Sequence, residues 1–146
     1  MTTYPHLPHP PADEAEWHQA LINLARYLRT PEGCPWDREQ DARAFAGFIR
    51  DESTEYIEAL AGNDRNHMAE ECGDTLFTLL ASIAAAEEAG LFTYRDVLQK
   101  AHEKMIRRHD HVFGEVKAQT PEEAIAAWER IKNVEKGRKQ SLEKPV

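Results

Sequence analysis

Between Asp51 and Asp74 the chain sets eight acids against a single base, Arg65. Four of those acids fall at intervals that let them act together. Phe45, Phe48, Ile49, Tyr56, Ile57 and Leu60 mark the apolar face of one helix. Glu52, four residues after Phe48 and four before Tyr56, lies on that face and not opposite it. Glu55 follows at i+3 and is its neighbour on the helix. Glu71 and Asp74 repeat the interval on the next helix, and Gly62-Asn63 is a stop-and-turn signal that folds the two helices antiparallel. Carboxylates gathered in a partly buried space cannot all stay ionised without a counter-ion. A hard divalent cation supplies it. Mg²⁺ prefers oxygen ligands, keeps some waters and takes the rest from substrate phosphates, with Mn²⁺ able to replace it. Glu58 and Glu70 read as solvated helix-face charges. A di-iron bundle would need Glu-x-x-His pairs, which this sequence lacks. The His109-Asp110 dipeptide has no second His/Asp set beside it, which argues against a His/Asp-type metal phosphohydrolase.

Positive charge collects further along, with eleven bases and eight acids from Lys100 to Lys144. Lys104 and Arg108 share a helix face at i and i+4, and Arg107 lies beside them. Arginine's planar fork matches phosphate oxygens, and lysine adds a point charge. Trp128 and Lys132 repeat the i, i+4 geometry, so the ring can stack on a base or ribose while the cation meets a phosphate. The plainer readings are a neutralised helix C-terminus for Lys104 and Arg107 and a core position for Trp128. His109 and His111 stay open between a general base, a phosphate donor, a cap and a core filler. His18, His67 and His102 read as helix-surface residues. Trp36 can pack down its Pro/Gly loop or close over substrate, with packing the favoured reading.

Helices must position these side chains. Asp13 with Glu16 forms a capping box for a first helix whose apolar stripe is Trp17, Leu21, Leu24 and Leu28, ending near Thr30-Pro31. Asp37 with Gln40 can open a second helix that runs to Gly62. The third covers roughly 67–88 and stops at Gly90. A fourth opens at Thr93 with Asp96 and runs to about Arg108. Residues 109–119 read as a loop. A fifth opens at Thr120, with Pro121 at its first position and Glu123 completing the box. No strand and no repeat is evident, so the expected fold is an all-α bundle of about five helices. A proline-rich arm over 1–12, a single domain over 13–136 and a polar, fraying tail over 137–146 complete the expectation.

With 146 residues, 41% hydrophobic and 30% charged, the chain suits one domain with a modest core. The net charge of -8 argues against nucleic acid as a partner. Cys34 and Cys72 fit no zinc or disulfide pattern, and Cys72 is expected in the core. No basic segment followed by an apolar run opens the sequence, so no signal peptide is expected, and a cytoplasmic location is. The longest apolar stretch, 76–86, is too short to cross a bilayer, so no membrane is expected as a partner. That stretch is apolar on nearly every side. It must be central or lie in a subunit interface, which predicts a homodimer or higher homo-oligomer.

Taken together, these motifs resemble the MazG nucleoside triphosphate pyrophosphohydrolases. That family shows Glu-Glu-x-x-Glu, a spacer, then Glu-x-x-Asp. The matching residues are Asp51-Glu52-Ser53-Thr54-Glu55 and Glu71-Cys72-Gly73-Asp74. The loop from Leu28-Arg29 through Gly33-Cys34-Pro35-Trp36-Asp37 to Gln40, the basic segment from Lys104 to Phe113, and Trp128-Glu129-Arg130-Ile131-Lys132 with Glu135-Lys136 extend the likeness across nearly all of the five helices. The resemblance implies an all-alpha NTP pyrophosphatase that splits the α–β anhydride of a nucleoside triphosphate with water, giving a nucleoside monophosphate and pyrophosphate. A role in nucleotide-pool housecleaning would follow. It makes Glu52, Glu55, Glu71 and Asp74 the Mg²⁺ ligands and turns Lys104, Arg108, Trp128 and Lys132 toward the nucleotide. Asp51 stands where the family usually has its first glutamate and would join Glu52 and Glu55 in catalysis, on a shorter side chain. Asp110 stands where the family usually has proline. A dUTPase-like or other deoxynucleotide pyrophosphatase shares the carboxylate architecture, and a non-catalytic helical interaction module is the competing class.

Overall fold

The computed structural model describes residues 7–143, and among them there are seven helices and no strand. They are α1 (Glu14–Tyr27), α2 (Pro35–Glu39), α3 (Ala42–Leu60), α4 (Arg65–Glu88), α5 (Tyr94–Arg108), α6 (Asp110–Phe113) and α7 (Pro121–Glu143). The fold is all-α, as expected. The chain divides into two compact units at Tyr94/Arg95. The first six residues of the expected arm lie outside the described residues.

In the first unit, side-chain caps set the helix starts. Asp13 accepts from the Glu16 amide at 2.9 Å, and Glu16 returns a bond to the Ala12 amide at 2.8 Å. Asp64 accepts from the amides of Asn66 and His67. The end of α4 is a Schellman turn. Gly90 takes a φ of 70°, and the Leu91 amide reaches back to the Ala86 carbonyl at 2.9 Å.

The second expected helix begins later than its sequence suggests. Asp37 sits inside the single turn of α2, the backbone is extended at Gln40, and Asp41 caps α3 through the Ala44 amide at 2.8 Å. The break has a cause outside its own segment. Arg29, with only 8% of its side chain exposed, donates from Nη1 to the carbonyls of Asp37 and Gln40 at 2.6 and 2.9 Å, while its Nε holds Glu88 at 2.8 Å. Gly33 completes the loop, because a Cβ there would overlap the carbonyl oxygens of Tyr27 and Leu28.

The long pair α3 and α4 packs antiparallel, and α1 packs on α4. The register is read from Ser82, whose hydroxyl donates to the Ala42 carbonyl at 2.7 Å, and from Phe45, which packs on Ala81 and Ala85. As numbers rise on α3, their partners fall on α4. Small residues let the helices approach, and Phe45 fills the gap, a burial that contributes about 2–3 kcal/mol. Arg26 forms a two-bond ion pair with Glu87 across α1 and α4. The α1 stripe differs from expectation: Ile22 and Ala25 are buried, whereas Trp17 and Leu24 are exposed. His18 is not merely a surface residue, for its Nε2 shares a 2.8 Å hydrogen bond with the buried Tyr94 hydroxyl. Cys72 is exposed and not in the core: it lies beside Tyr56 of α3, at the edge of the helix pair. On α4, residues from Leu80 to Ala86 other than Ser82 are buried, but Leu76 and Leu79 are exposed.

The second unit holds α5, α6 and α7, with α6 packed on α7. The expected 109–119 loop contains the one-turn α6, whose end is closed by the Gly114 amide on the Asp110 carbonyl at 2.7 Å. Thr120 caps α7 as read, accepting from the Glu123 amide at 3.2 Å. α7 continues through the expected tail as far as Glu143, the last described residue.

Candidate active site

Side chains one turn apart on a helix stack on the same face, and the antiparallel α3/α4 register then carries Glu52 and Glu55 to Glu71. Glu52, Glu55 and Glu71 each offer a carboxylate oxygen, and the three lie within 4.8 Å of one another. Glu52 and Glu71 are half-buried and Glu55 is exposed. Burial pushes the Glu52 carboxyl above its ordinary range, and the charges of Glu55 and then Asp74 add to it. Asp74 lies outside the tight triplet, yet its charge is felt at Glu52. Neighbouring oxygens of an octahedral Mg²⁺ shell sit about 3 Å apart and opposite ones about 4.2 Å apart. The triplet therefore needs only small side-chain adjustments to clasp such an ion. Its donors are all hard oxygens, which suits Mg²⁺ or Mn²⁺ better than a soft metal. His67 approaches Glu71 at 3.5 Å from the previous turn of α4.

Next to the acids lies a cavity of about 440 Å³ walled by Leu28, Trp36, Phe45, Phe48 and Phe77, with Asp37, Asp51 and Glu52 on its rim. Trp36 is 53% exposed. It stacks on Phe48 with centroids 5.8 Å apart at 26°, and meets Phe45 edge-on at 6.0 Å. The expected packing role is thus only half of what Trp36 does, since its ring also walls an open cavity. The exposed part of the Trp36 ring offers a planar aromatic guest a surface to stack on. Sequence reasoning missed this aromatic wall. The signal was there: Phe45 and Phe48 lie at i and i+3 and continue into Glu52 on one face.

In the second unit, Arg108 lies with its Cζ 5.3 Å from the centroid of the Trp128 ring, a cation–π distance. His109 meets the same ring edge-on at 5.2 Å and bonds the Met105 carbonyl through Nδ1 at 2.6 Å. Arg107 and Arg108 both hold Glu135. Lys132 is 3.9 Å from Glu129. A cavity of about 380 Å³ is lined by His109, His111, Ile125, Trp128 and Glu129, and His111 Nδ1 is buried with no hydrogen-bond partner among the described residues. Lys104 is exposed on α5. The structure thus unites Glu52, Glu55 and Glu71 in one unit, and Arg107, Arg108 and Trp128 in the other.

The family model described as the MazG nucleotide pyrophosphohydrolase domain matches residues 40–113. The chain is 41% identical over 119 residues to the uncharacterized protein YabN of Bacillus subtilis, covering 82% of this chain and 24% of that protein. It is 40% identical over 123 residues to the nucleoside triphosphate pyrophosphohydrolase/pyrophosphatase MazG of Thermotoga maritima, covering 84% of this chain and 47% of that one. It is 37% identical over 120 residues to the nucleoside triphosphate pyrophosphohydrolase of Escherichia coli K12, covering 82% and 46%. The crystal structure of a mazG-related protein from Thermotoga maritima superposes with a TM-score of 0.66 at 29% identity, covering 79% of this chain and 98% of that one. The chain spans from about a quarter to about half the length of these curated relatives.

Proposed function

Because the chain belongs to the MazG nucleotide pyrophosphohydrolase family, we propose that it hydrolyses nucleoside triphosphates to the monophosphate and pyrophosphate with Mg²⁺, as a housecleaning enzyme of the nucleotide pool. The observation that carries this reading is the convergence of Glu52, Glu55 and Glu71 within 4.8 Å, with Glu52 also lining an aromatic cavity sized for a base.

Glu52, Glu55, Glu71 and Asp74 are the residues that would hold the ion, and Mn²⁺ would suit the same oxygens as Mg²⁺. An ion held there would supply positive charge against the triphosphate and the departing pyrophosphate. Asp51, beside Glu52 on the cavity rim, accepts a hydrogen bond from the attacking water and orients it in line with the α-phosphorus, with Glu52 and Glu55 sharing the catalytic role. The α–β bridge breaks, pyrophosphate leaves with the bridging oxygen, and the monophosphate keeps the oxygen of water. Trp36, backed by Phe48, receives the base by stacking. Lys104, Arg107, Arg108 and Lys132 bind phosphate oxygens, and Trp128 backs Arg108 and faces the nucleotide.

The functional module is residues 13–136. Exposed Ile57, Leu60, Leu76 and Leu79 on α3 and α4 support a homodimer or higher assembly, because large apolar side chains gathered on long helices favour burial. A cytoplasmic site of action is part of the same reading, and no described helix is long and apolar enough to cross a membrane.

Phosphorus NMR of each common nucleoside triphosphate incubated with the protein and Mg²⁺ tests the reading, with dUTP and oxidised nucleotides included. Monophosphate and pyrophosphate should form in equal amounts. Diphosphate with orthophosphate would overturn the chemistry. No product from any nucleotide with either Mg²⁺ or Mn²⁺ would leave the interaction module as the better account, and turnover of dUTP alone would favour the dUTPase-like one.

A further inference from the structure

Glu135 is a carboxylate in the second unit to which the mechanism above gives no role. It projects from α7 and gathers two consecutive arginines at the end of α5. Its Oε1 accepts from Nε of Arg107 at 2.7 Å, and its Oε2 accepts from Nε and Nη2 of Arg108 at 3.3 and 3.0 Å. Consecutive helical residues leave the axis about 100° apart. One carboxylate can hold both guanidiniums only if the two side chains bend toward the same side. Two cations brought that close repel, and the carboxylate between them offsets the repulsion. The side chains of Arg108 and Glu135 are 15% and 21% exposed, so solvent screens this cluster less than it would a surface pair.

The hold on Arg108 is geometric as well as electrostatic. The Arg108 Cζ lies over the Trp128 ring, 5.3 Å from its centroid, and Glu135 takes the Nε/Nη2 edge. Nη1 makes no hydrogen bond to any described residue. The fork is therefore held from two sides while an edge remains for another acceptor. The two guanidiniums hold the Glu135 carboxyl below its usual range, so it stays ionised across neutral pH.

We propose that Glu135 is a positioning residue that preforms Arg107 and Arg108 as a paired fork for the phosphates of the substrate. This rests on the reading that those arginines meet nucleotide phosphate. Ordering the fork in advance removes side-chain entropy that binding would otherwise cost. One carboxylate against two guanidiniums leaves the cluster with a net positive charge, which an anion still seeks.

Steady-state kinetics on Glu135→Gln, Glu135→Asp, Arg108→Ala and the double variant Arg108→Ala/Glu135→Gln test it in the full chain. Glu135→Gln should raise KM for the triphosphate by about tenfold with kcat changed by less than about threefold, a loss of binding made equally in ground and transition states. Glu135→Asp, which keeps the charge, should recover most of that loss. In the Arg108→Ala background, Glu135→Gln should add little, because its effect passes through the arginine. A merely structural glutamate would weaken both backgrounds alike. An unchanged KM in Glu135→Gln overturns the proposal. A lowered KM overturns it too, since Glu135 would then be a competitor for the fork. Normal turnover by Arg108→Ala would remove the phosphate-binding reading itself, and with it the proposal. A damaged Arg108→Ala beside a silent Glu135→Gln removes only the role of Glu135.

Discussion

Glu52→Gln should give a metal-free protein that melts higher than the parent, although it removes the residue most central to the site. The glutamine keeps the shape of the side chain and removes one charge from a crowded set. Two like charges 4.8 Å apart repel by about 0.9 kcal/mol in bulk water and about 3.5 kcal/mol at an effective dielectric near 20. Glu55 is exposed, so the lower end applies to it, and the half-buried Glu71 lies between the limits. With Asp74 further off and physiological salt screening the whole, the relief comes to about 1–2 kcal/mol. For a chain of this size that is a rise of roughly 3–6 °C. Thermal melting in chelator reads it directly. Adding Mg²⁺ with a slowly hydrolysed nucleotide analogue should then raise the parent and leave the variant nearly unmoved, so the order of the two curves closes or reverses. A variant that melts at or below the parent in chelator would show that the acids are not crowded, and the argument for a counter-ion would fail with it.

Three further outcomes can be checked with similar material. Trp36→Ala, which removes the ring stacked on Phe48, should raise KM roughly 5- to 100-fold with a much smaller change in kcat, the range that base stacking supplies; equal loss from a nucleotide and from bare triphosphate would argue against a base in that cavity. Gly33→Ala should destabilise by about 1–3 kcal/mol in thermal or urea unfolding, because the new Cβ meets the carbonyls of Tyr27 and Leu28, and a neutral result would mean that the loop relaxes freely. Glu87→Gln should cost about 1 kcal/mol at neutral pH. Hydrogen bonds from Arg26, with a backbone bond from Tyr94, hold the Glu87 carboxyl below its ordinary range. The folded state thus binds fewer protons there than the unfolded one. Its contribution is full above the ordinary carboxylate range and fades as pH falls through the lowered folded value. The gap between parent and variant should narrow in acid, and a gap that widens would contradict the sign.

The acid constellation was legible because helical spacing fixes which face a residue occupies, and Glu52 stands in an apolar series where a solvated charge would not. Caps at Asp13 and Thr120 were legible for the same local reason, since a cap is settled within a few residues of chain. The break at Gln40 was not, because Arg29, on the other side of the loop, imposes it. Trp36 as a cavity wall depends on rings from α3, and the Glu135 clamp joins Arg108 to a residue 27 positions on, in another helix. Such contacts leave no periodic trace. Cys72 misled for a related reason: a small sulfur residue reads as core by its type, but here it lies exposed beside Tyr56 at the edge of the α3/α4 pair.

Everything in the mechanism presupposes a divalent ion on the α3/α4 acids. Titration of the protein with Mn²⁺, followed by electron paramagnetic resonance with a nucleotide analogue present, tests that most directly. The parent should take up the ion, and Glu55→Gln/Glu71→Gln should weaken uptake by at least about tenfold, since each removes a charged oxygen ligand. Uptake that is undiminished in the double variant, or absent in the parent, would contradict the account.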